Sequence, residues 1–349
     1  MRLQSRSQID SMKSSWRSWD RRRWNAGHWL IEILAVHPIS FDKRLPVHPK
    51  TAKVPYASQW RFNVWVLIHA IIPLVIHETF SLYFSHQFSP LVAGIFYSLS
   101  LQAIGVHELH MLRQVGHTHG YFDGDTHDRD GVPDTGVWRT VWSLLSGATL
   151  RPLMLVTLAY QVDQGPLSIR WGWLLLETGL YAIVLDFWFY WYHRLMHESH
   201  YLWKFHRTHH LIKHPIPLLS AYADLEQEFF DVVGIPLMTY GSLKLLCLPM
   251  GFYEWWICQQ YIIFTEALGH SGLRIKAIAA NPWSWLFSMM GVELVIEDHD
   301  LHHRRGWRKS HNYGKQTRIW DKLFGTTYPR VEGYEGNIDY DNPAKIPLL

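Results

Sequence analysis

Apolar and polar residues alternate along this chain in long blocks. Residues 64–84 are mostly apolar and long enough to cross a bilayer, although Pro73, His77 and Glu78 interrupt them. After a short turn at 85–89, residues 90–106 predict a second span. Residues 107–140 are then polar and acidic, and read as a loop. Residues 144–162, broken by Arg151 and Pro152, make a weak third span, and 171–192 a strong fourth that runs directly into His193. A further apolar pair, 229–250 and 252–268, folds around Leu248-Pro249-Met250-Gly251 and either spans the bilayer or dips into it. Pro38, Pro46, Pro49 and Pro55 predict an irregular stretch over 26–63, lying on the membrane surface. No alternating run is long enough for a sheet. The pattern therefore predicts an all-α integral membrane helical bundle. It has about four spans plus a further apolar hairpin, and a helical cap made of the polar segments.

Composition refines this picture. Apolar residues make up 48% of the 349 and charged residues 18%, yet mean hydropathy is only −0.10, which fits apolar hairpins carrying a large polar cap. The 19 Trp and 17 Tyr suit membrane–water interfaces. A net charge of +3 is too small to point to nucleic acid. Cys247 and Cys258 both lie in apolar segments and offer neither a disulfide framework nor a paired-cysteine zinc site. The first 25 residues hold seven Lys or Arg against two Asp, with no apolar core, so they predict a cytosolic basic arm with no signal peptide. If that arm is cytosolic, two hairpins return the chain to the cytosol near residues 107 and 193, and His270 ends on the same side.

Chemistry concentrates in the histidines, of which there are 23. His193-Arg-Leu-Met-His197, His206-Arg-Thr-His209-His210 and His299-Asp-Leu-His302-His303 place imidazoles three and four apart. On a helix such positions share a face. Eight imidazoles exceed what one zinc takes and suit two metals with open positions; the spacing alone leaves iron, copper, nickel and zinc all admissible. Asp186, Tyr190, His193 and His197 fall on one helical stripe. An acid late in an apolar span needs a partner, so Asp186 is a candidate carboxylate for orienting a ligand histidine, with Tyr190 beside it.

The three boxes, the lone His270 in Leu268-Gly269-His270-Ser271-Gly272, and the later Asn312-Tyr313-Gly314 and Trp320-Asp321-Lys322-Leu323-Phe324-Gly325-Thr326 resemble the fatty acid hydroxylase/sterol desaturase superfamily of membrane non-haem di-iron oxidoreductases. The resemblance covers roughly residues 170–328; residues 1–145 carry no recognisable signature. It implies a metal-ligand set of His193, His197, His206, His209, His210, His270, His299, His302 and His303. It also implies two iron ions, O2 as co-substrate, and roles for Glu226 and Asn312 beside the centre. Glu266, four residues before His270, is an additional acid on the same face. Relatives often carry Asn-Pro or His-Pro before a Leu/Val-Glu pair; here Ala223-Asp224-Leu225-Glu226 lacks both, which blurs any one relative's substrate.

The resemblance implies hydroxylation or desaturation of a sterol, sphingoid base, fatty acid or a terpenoid- or polyketide-like molecule, with hydroxylation the first choice. The HxxxH first box differs from the longer one typical of acyl-CoA desaturases. No His-Pro-Gly-Gly haem signature occurs, so cytochrome b5 or a similar reductase chain is expected as a separate donor. The expected location is the endoplasmic reticulum membrane, with the boxes facing the cytosol. The expected organisation is a basic, Pro-rich arm (1–63), N-terminal spans with a polar His/Asp-rich loop (64–162), the di-iron domain (163–328) and a tail (329–349).

Other chemistries fit less well. An intramembrane zinc protease needs His-Glu-x-x-His, and His77-Glu78, His107-Glu108 and His197-Glu198 all lack the second histidine. A metal transporter would place histidines along its spans rather than at their ends, and a non-catalytic scaffold would not need three intact boxes. The loop cluster His107, His110, His117, His119 and the Asp-rich run 123–134 has some likeness to zinc and calcium sites. It lacks EF-hand spacing and reads better as a solvated acidic turn.

Overall fold

The computed structural model describes residues 10–40, 43–123, 129–220 and 222–349. Twelve α-helices of five residues or more make up most of them: α1 (Ala26–Ile33), α2 (Gln59–Phe84), α3 (Pro90–His119), α4 (Val137–Ala159), α5 (Trp171–Glu198), α6 (His200–His206), α7 (Leu225–Phe229), α8 (Ile235–Leu245), α9 (Phe252–Gly269), α10 (Ser284–Met289), α11 (Ile296–Arg305) and α12 (Ile319–Leu323). Four of these, α2 to α5, are long and apolar enough to cross a membrane.

Each long helix extends beyond the apolar run that predicts it. α3 is the clearest case. It starts with Pro90 at its first position and Ser89 accepting from the Val92 N–H, and it continues for 30 residues to Gly120. That is about 45 Å at 1.5 Å per residue, against a hydrocarbon core of about 30 Å. The expected polar loop therefore begins as helix. Nothing in 107–119 breaks the backbone until Gly120, which takes φ +72. A side chain there would meet the Pro46 carbonyl.

The histidines on this extension anchor the arm below it. His110 Nε2 lies 2.8 Å from the Leu34 carbonyl, and the Ser40 N–H donates to His117 Nε2 at 3.2 Å. The acidic run splits among partners as well. Asp134 accepts from the Ser15 and Trp16 N–H groups, Asp130 from those of Lys213 and His214, and Asp123 pairs with Arg304. Residues 124–128 of that run lie outside the described residues.

Residues 26–63 are more ordered than their prolines suggest. Asn25 caps α1, accepting from the Gly27 and His28 N–H groups at 2.9 and 3.2 Å, while His28 Nδ1 accepts from the Asn25 N–H. A short parallel pair joins β1 (Val54–Ala57) to β2 (Ile338–Ala344). A four-residue strand carries too little alternation to be read from sequence, and its partner lies nearly the whole chain away.

The apolar pair folds around residues 246–251, where the Leu248-Pro249-Met250-Gly251 turn is expected. α7 and α8 are joined by a π-helical turn, Phe230–Gly234, into one continuous helical run over 225–245. α9 is the central helix, buried along almost its whole length against α2, α4 and α5. Its indoles find acceptors on both sides: Trp256 Nε1 donates to the Ala70 carbonyl and Trp255 Nε1 to Tyr181 Oη, both at 3.0 Å. Buried polar groups left without partners cost free energy, so these bonds set how α9 sits between α2 and α5.

The tail is held by a buried ion pair. Arg274 Nε donates to Glu332 at 2.8 Å, and both side chains are 1% exposed. Replacing one member strands a buried charge, which costs about 3–5 kcal/mol. Glu332→Leu should therefore lower the unfolding temperature sharply in detergent, and Arg274→Met combined with Glu332→Leu should recover much of the loss. A single variant as stable as the parent protein would refute this role.

Candidate metal centre

Nine buried imidazoles meet where α5, α6, α9 and α11 converge. They form two groups: His193, His197, His206, His210 and His302, and beside them His209, His270, His299 and His303. Within each group the ring nitrogens lie within 4.8 Å of one another. The groups abut, with ring centres of His210 and His303 4.9 Å apart and those of His299 and His302 5.4 Å apart.

Local structure explains the grouping. His193 and His197 lie one turn apart near the end of α5, as their spacing predicts. The second box is not one helix: α6 stops at His206, and a 3₁₀ turn, His209–Leu211, follows. His209 joins the second group, while His206 and His210 stay in the first. On α11, His302 faces the first group while His299 and His303 face the second. Acids on the back of α11 hold it in place. Glu297 accepts from the Val331, Glu332 and Gly333 N–H groups at 2.6–3.0 Å, and Asp298 pairs with Arg330 at 2.8 Å.

Most of the rings are oriented from behind. Nδ1 of His193, His197, His270, His302 and His303 lies 2.6–3.0 Å from the carbonyls of Tyr313, Trp307, Glu266, His311 and Ile212 respectively. His206 Nδ1 reaches Gln227 Oε1 at 2.9 Å, and His209 Nδ1 the Tyr222 carbonyl at 3.3 Å. A carbonyl only accepts, so each of these Nδ1 atoms carries the proton and each Nε2 presents a bare lone pair inward.

These lone pairs face one another closely. Nε2 separations are 3.0 Å for His193–His206, 3.0 Å for His210–His302 and 2.9 Å for His270–His299. In the His193–His206 pair both protons sit on Nδ1, so no hydrogen bond links the two Nε2 atoms and a cation is the species that fits between them. Two nitrogens about 2.1 Å from one ion and at right angles to it are about 3.0 Å apart. Burial, reinforced by the neighbouring imidazoles, holds His206, His209, His210, His299, His302 and His303 well below the usual imidazole pKa; burial holds His270 at about 4. Neutral imidazole is the form a metal binds.

Three of the four non-histidine candidates, Asp186, Tyr190 and Asn312, sit behind this cluster. Asp186 is fully buried and does not touch a ligand histidine. It accepts from the Lys315, Gln316 and Thr317 N–H groups at 2.7–3.1 Å and from Thr317 Oγ1 at 2.8 Å, so it holds the loop whose Tyr313 carbonyl orients His193. Tyr190 Oη accepts from Arg194 and pairs with Thr326. Asn312, at φ +51, donates to the Asp298 carbonyl and accepts from the Tyr328 N–H at 2.8 Å each, bracing the loop against α11.

Glu226 is the correction: it is exposed on α7 and points away from the cluster. Its neighbour Gln227 is buried and meets His206: the step of about 100° around the helix brings Gln227 inward and leaves Glu226 outside. Asp321 also serves the site without having been singled out, accepting from the Tyr313 and Gly314 N–H groups at 2.8 Å. Its signal lay in the downstream Trp-Asp-Lys run. Glu266 is clamped between Arg151 (3.4 Å) and Lys315 (3.3 Å) at the edge of the chamber.

Comparison with known proteins agrees with this construction. The fatty acid hydroxylase family profile matches residues 178–326. The fatty acid hydroxylase vlmA of Lecanicillium sp is 45% identical over 309 residues, 84% of each chain. Methylsterol monooxygenase 2-2 of Arabidopsis thaliana is 32% identical over 46% of this chain and 56% of its own. The Delta(7)-sterol-C5(6)-desaturase of Nicotiana tabacum is 31% identical over 46% of this chain and 54% of its own. No solved structure matches the chain. Similarity that runs along most of a hydroxylase, and beyond the box region into the N-terminal helices, shows that this chain belongs to the fatty acid hydroxylase/sterol desaturase superfamily of membrane-bound, oxygen-dependent oxidoreductases.

Proposed function

We propose that the chain hydroxylates an unactivated C–H bond of a lipid-like molecule, using O2 and electrons from outside, with two irons held by the nine clustered histidines. The observation that carries this reading is the pair of abutting imidazole groups with Nε2 lone pairs turned inward. His193, His197, His206, His210 and His302 would hold one ion, and His209, His270, His299 and His303 the other. The iron pair, when bound, supplies from O2 the oxidant that opens the C–H bond.

The rest is done by the chain. An apolar cleft of about 120 Å³ between α3, α4 and α9 is lined by Leu101, Gly105, Leu109, Leu144, Gly147 and Ala148. Its inner end is formed by Ser220, Asp231 and Glu266, which also line a small chamber of about 20 Å³ bordered by His193, His206, His209, His270 and His299. A substrate chain entering between α3 and α4 from the bilayer thus ends against the second imidazole group. Phe189, Thr265 and Leu294 close the chamber walls and limit water at a centre whose oxidant would otherwise be quenched. Lys315 and Arg151 neutralise Glu266 at the junction.

Desaturation of a related lipid is the alternative. It shares the opening of the C–H bond and departs only in what happens to the carbon next. We place the protein in the endoplasmic reticulum membrane with the histidines on the cytosolic face and cytochrome b5 or a similar carrier as donor. The apolar α2 to α5, the basic arm and the family support this placement.

Purified chain should contain two irons, and His209→Ala or His302→Ala should abolish turnover while the protein still inserts into membranes. Full activity with one zinc and no iron would overturn the reading. Gln227→Leu removes the acceptor that orients His206. It should cost about 10–100-fold in iron affinity or turnover, measured by chelator competition and product formation. A Cβ at Gly147 would meet no atom within 4 Å, so this position opens the cleft. Gly147→Phe should lower kcat/KM at least ten-fold with iron content unchanged; unaltered kcat/KM would show that substrate enters elsewhere.

A further inference from the structure

The segment leaving α11, Arg304-Arg305-Gly306-Trp307-Arg308-Lys309, plays no part in the chemistry above beyond a backbone carbonyl. Its arrangement is specific. Trp307 is 39% exposed, and Arg305, Arg308 and Lys309 beside it are exposed as well. Below the surface its ring meets that of Trp203 edge-on, with centres 5.1 Å apart. Trp203 is buried, and its ring centre lies 5.3 Å from His197 and 5.6 Å from His210. Two indoles in contact therefore connect solvent to the five-imidazole group. Lys213 Nζ stands 4.6 Å from the centre of the Trp307 ring and donates to the Gly306 carbonyl at 2.8 Å, which fixes the outer ring in place.

We propose that Trp307 and its basic rim are the landing site of an acidic one-electron carrier protein, and that Trp307 and Trp203 conduct its electrons to the first imidazole group. The proposal rests on the oxygenase reading and adds where electrons enter and what kind of partner delivers them. The balance is that of hydroxylation: C–H, O2, two electrons and two protons give C–OH and water. Two encounters supply the electrons, each oxidising the carrier by one, and the indoles end each transfer unchanged.

Clustered cations at a docking patch raise the encounter rate of an acidic partner and make it salt-dependent. A Trp among cations also suits anionic lipid headgroups. The inward half of the arrangement favours a redox partner: anchoring to lipid would not require the exposed indole to sit on a buried one that itself packs on two ligand histidines.

The test uses the full chain in neutral phosphatidylcholine nanodiscs, with the soluble haem domain of cytochrome b5 as carrier. Its Kd is measured on metal-free and iron-loaded protein, and haem reoxidation is followed by stopped flow. The double variant R308E/K309E should weaken the Kd at least ten-fold in both forms, and salt should weaken the parent protein in the same direction. At saturating carrier, Trp307→Leu should slow haem reoxidation at least ten-fold relative to reduction by dithionite, whatever its Kd, and Trp307→Phe should recover part of the rate. An unchanged Kd in the charge variant, or one that changes only in discs containing anionic lipid, overturns the docking site. Parent-like haem reoxidation in Trp307→Leu overturns the conduit. Failure of the oxygenase reading looks different: the parent protein itself would hold no iron, or would form no product even with dithionite.

Discussion

The structure depends on a set of hydrogen bonds that point away from its active chemistry. Seven of the nine ligand rings donate from Nδ1 to an acceptor behind them, six of these to a backbone carbonyl. Each bond fixes a tautomer and a ring orientation, so the lone pairs face inward before any ion arrives. The arrangement is costly without a cation, because buried lone pairs that face one another repel. The surrounding fold must therefore be rigid. That rigidity comes from buried acids: Asp186 and Asp321 hold the 313–317 loop, while Glu297 and Asp298 hold α11.

The acids act at a distance from the ligands, which explains how the sequence can be legible in one part and obscure in another. The histidine boxes declare themselves because helical spacing and residue type together admit few other uses. Asp186 is conspicuous as an acid late in an apolar span, but its partners are the N–H groups of a loop about 130 residues away, and nothing local to 186 names them. Glu226 and Gln227 show how fine the limit is. Resemblance identifies the segment, and only the rotation of α7 decides which of the two side chains faces His206.

Elsewhere the limits are those of local pattern. The boundaries of α3 were hidden because hydropathy marks where lipid ends, and a helix can continue past that point until a residue such as Gly120 ends it. The pairing of β1 with β2 could not be read, since four residues carry no usable period. The second box, although broken by the 3₁₀ turn at His209–Leu211, divides as the unbroken third box does: the residues four apart, His206 and His210, share one group and His209 goes to the other, as His299 and His303 part from His302.

That division has a consequence for how the two halves of the centre are spaced. His209 and His210 are consecutive, as are His302 and His303, and each couple contributes one ring to either group. Consecutive α-carbons are held about 3.8 Å apart by the peptide bond itself. The distance between the loci is thus gauged twice by covalent geometry, from opposite walls, rather than left to the packing of independent helices. Thermal breathing of α5 against α11 can tilt individual rings while these two short rulers keep the halves at a constant remove.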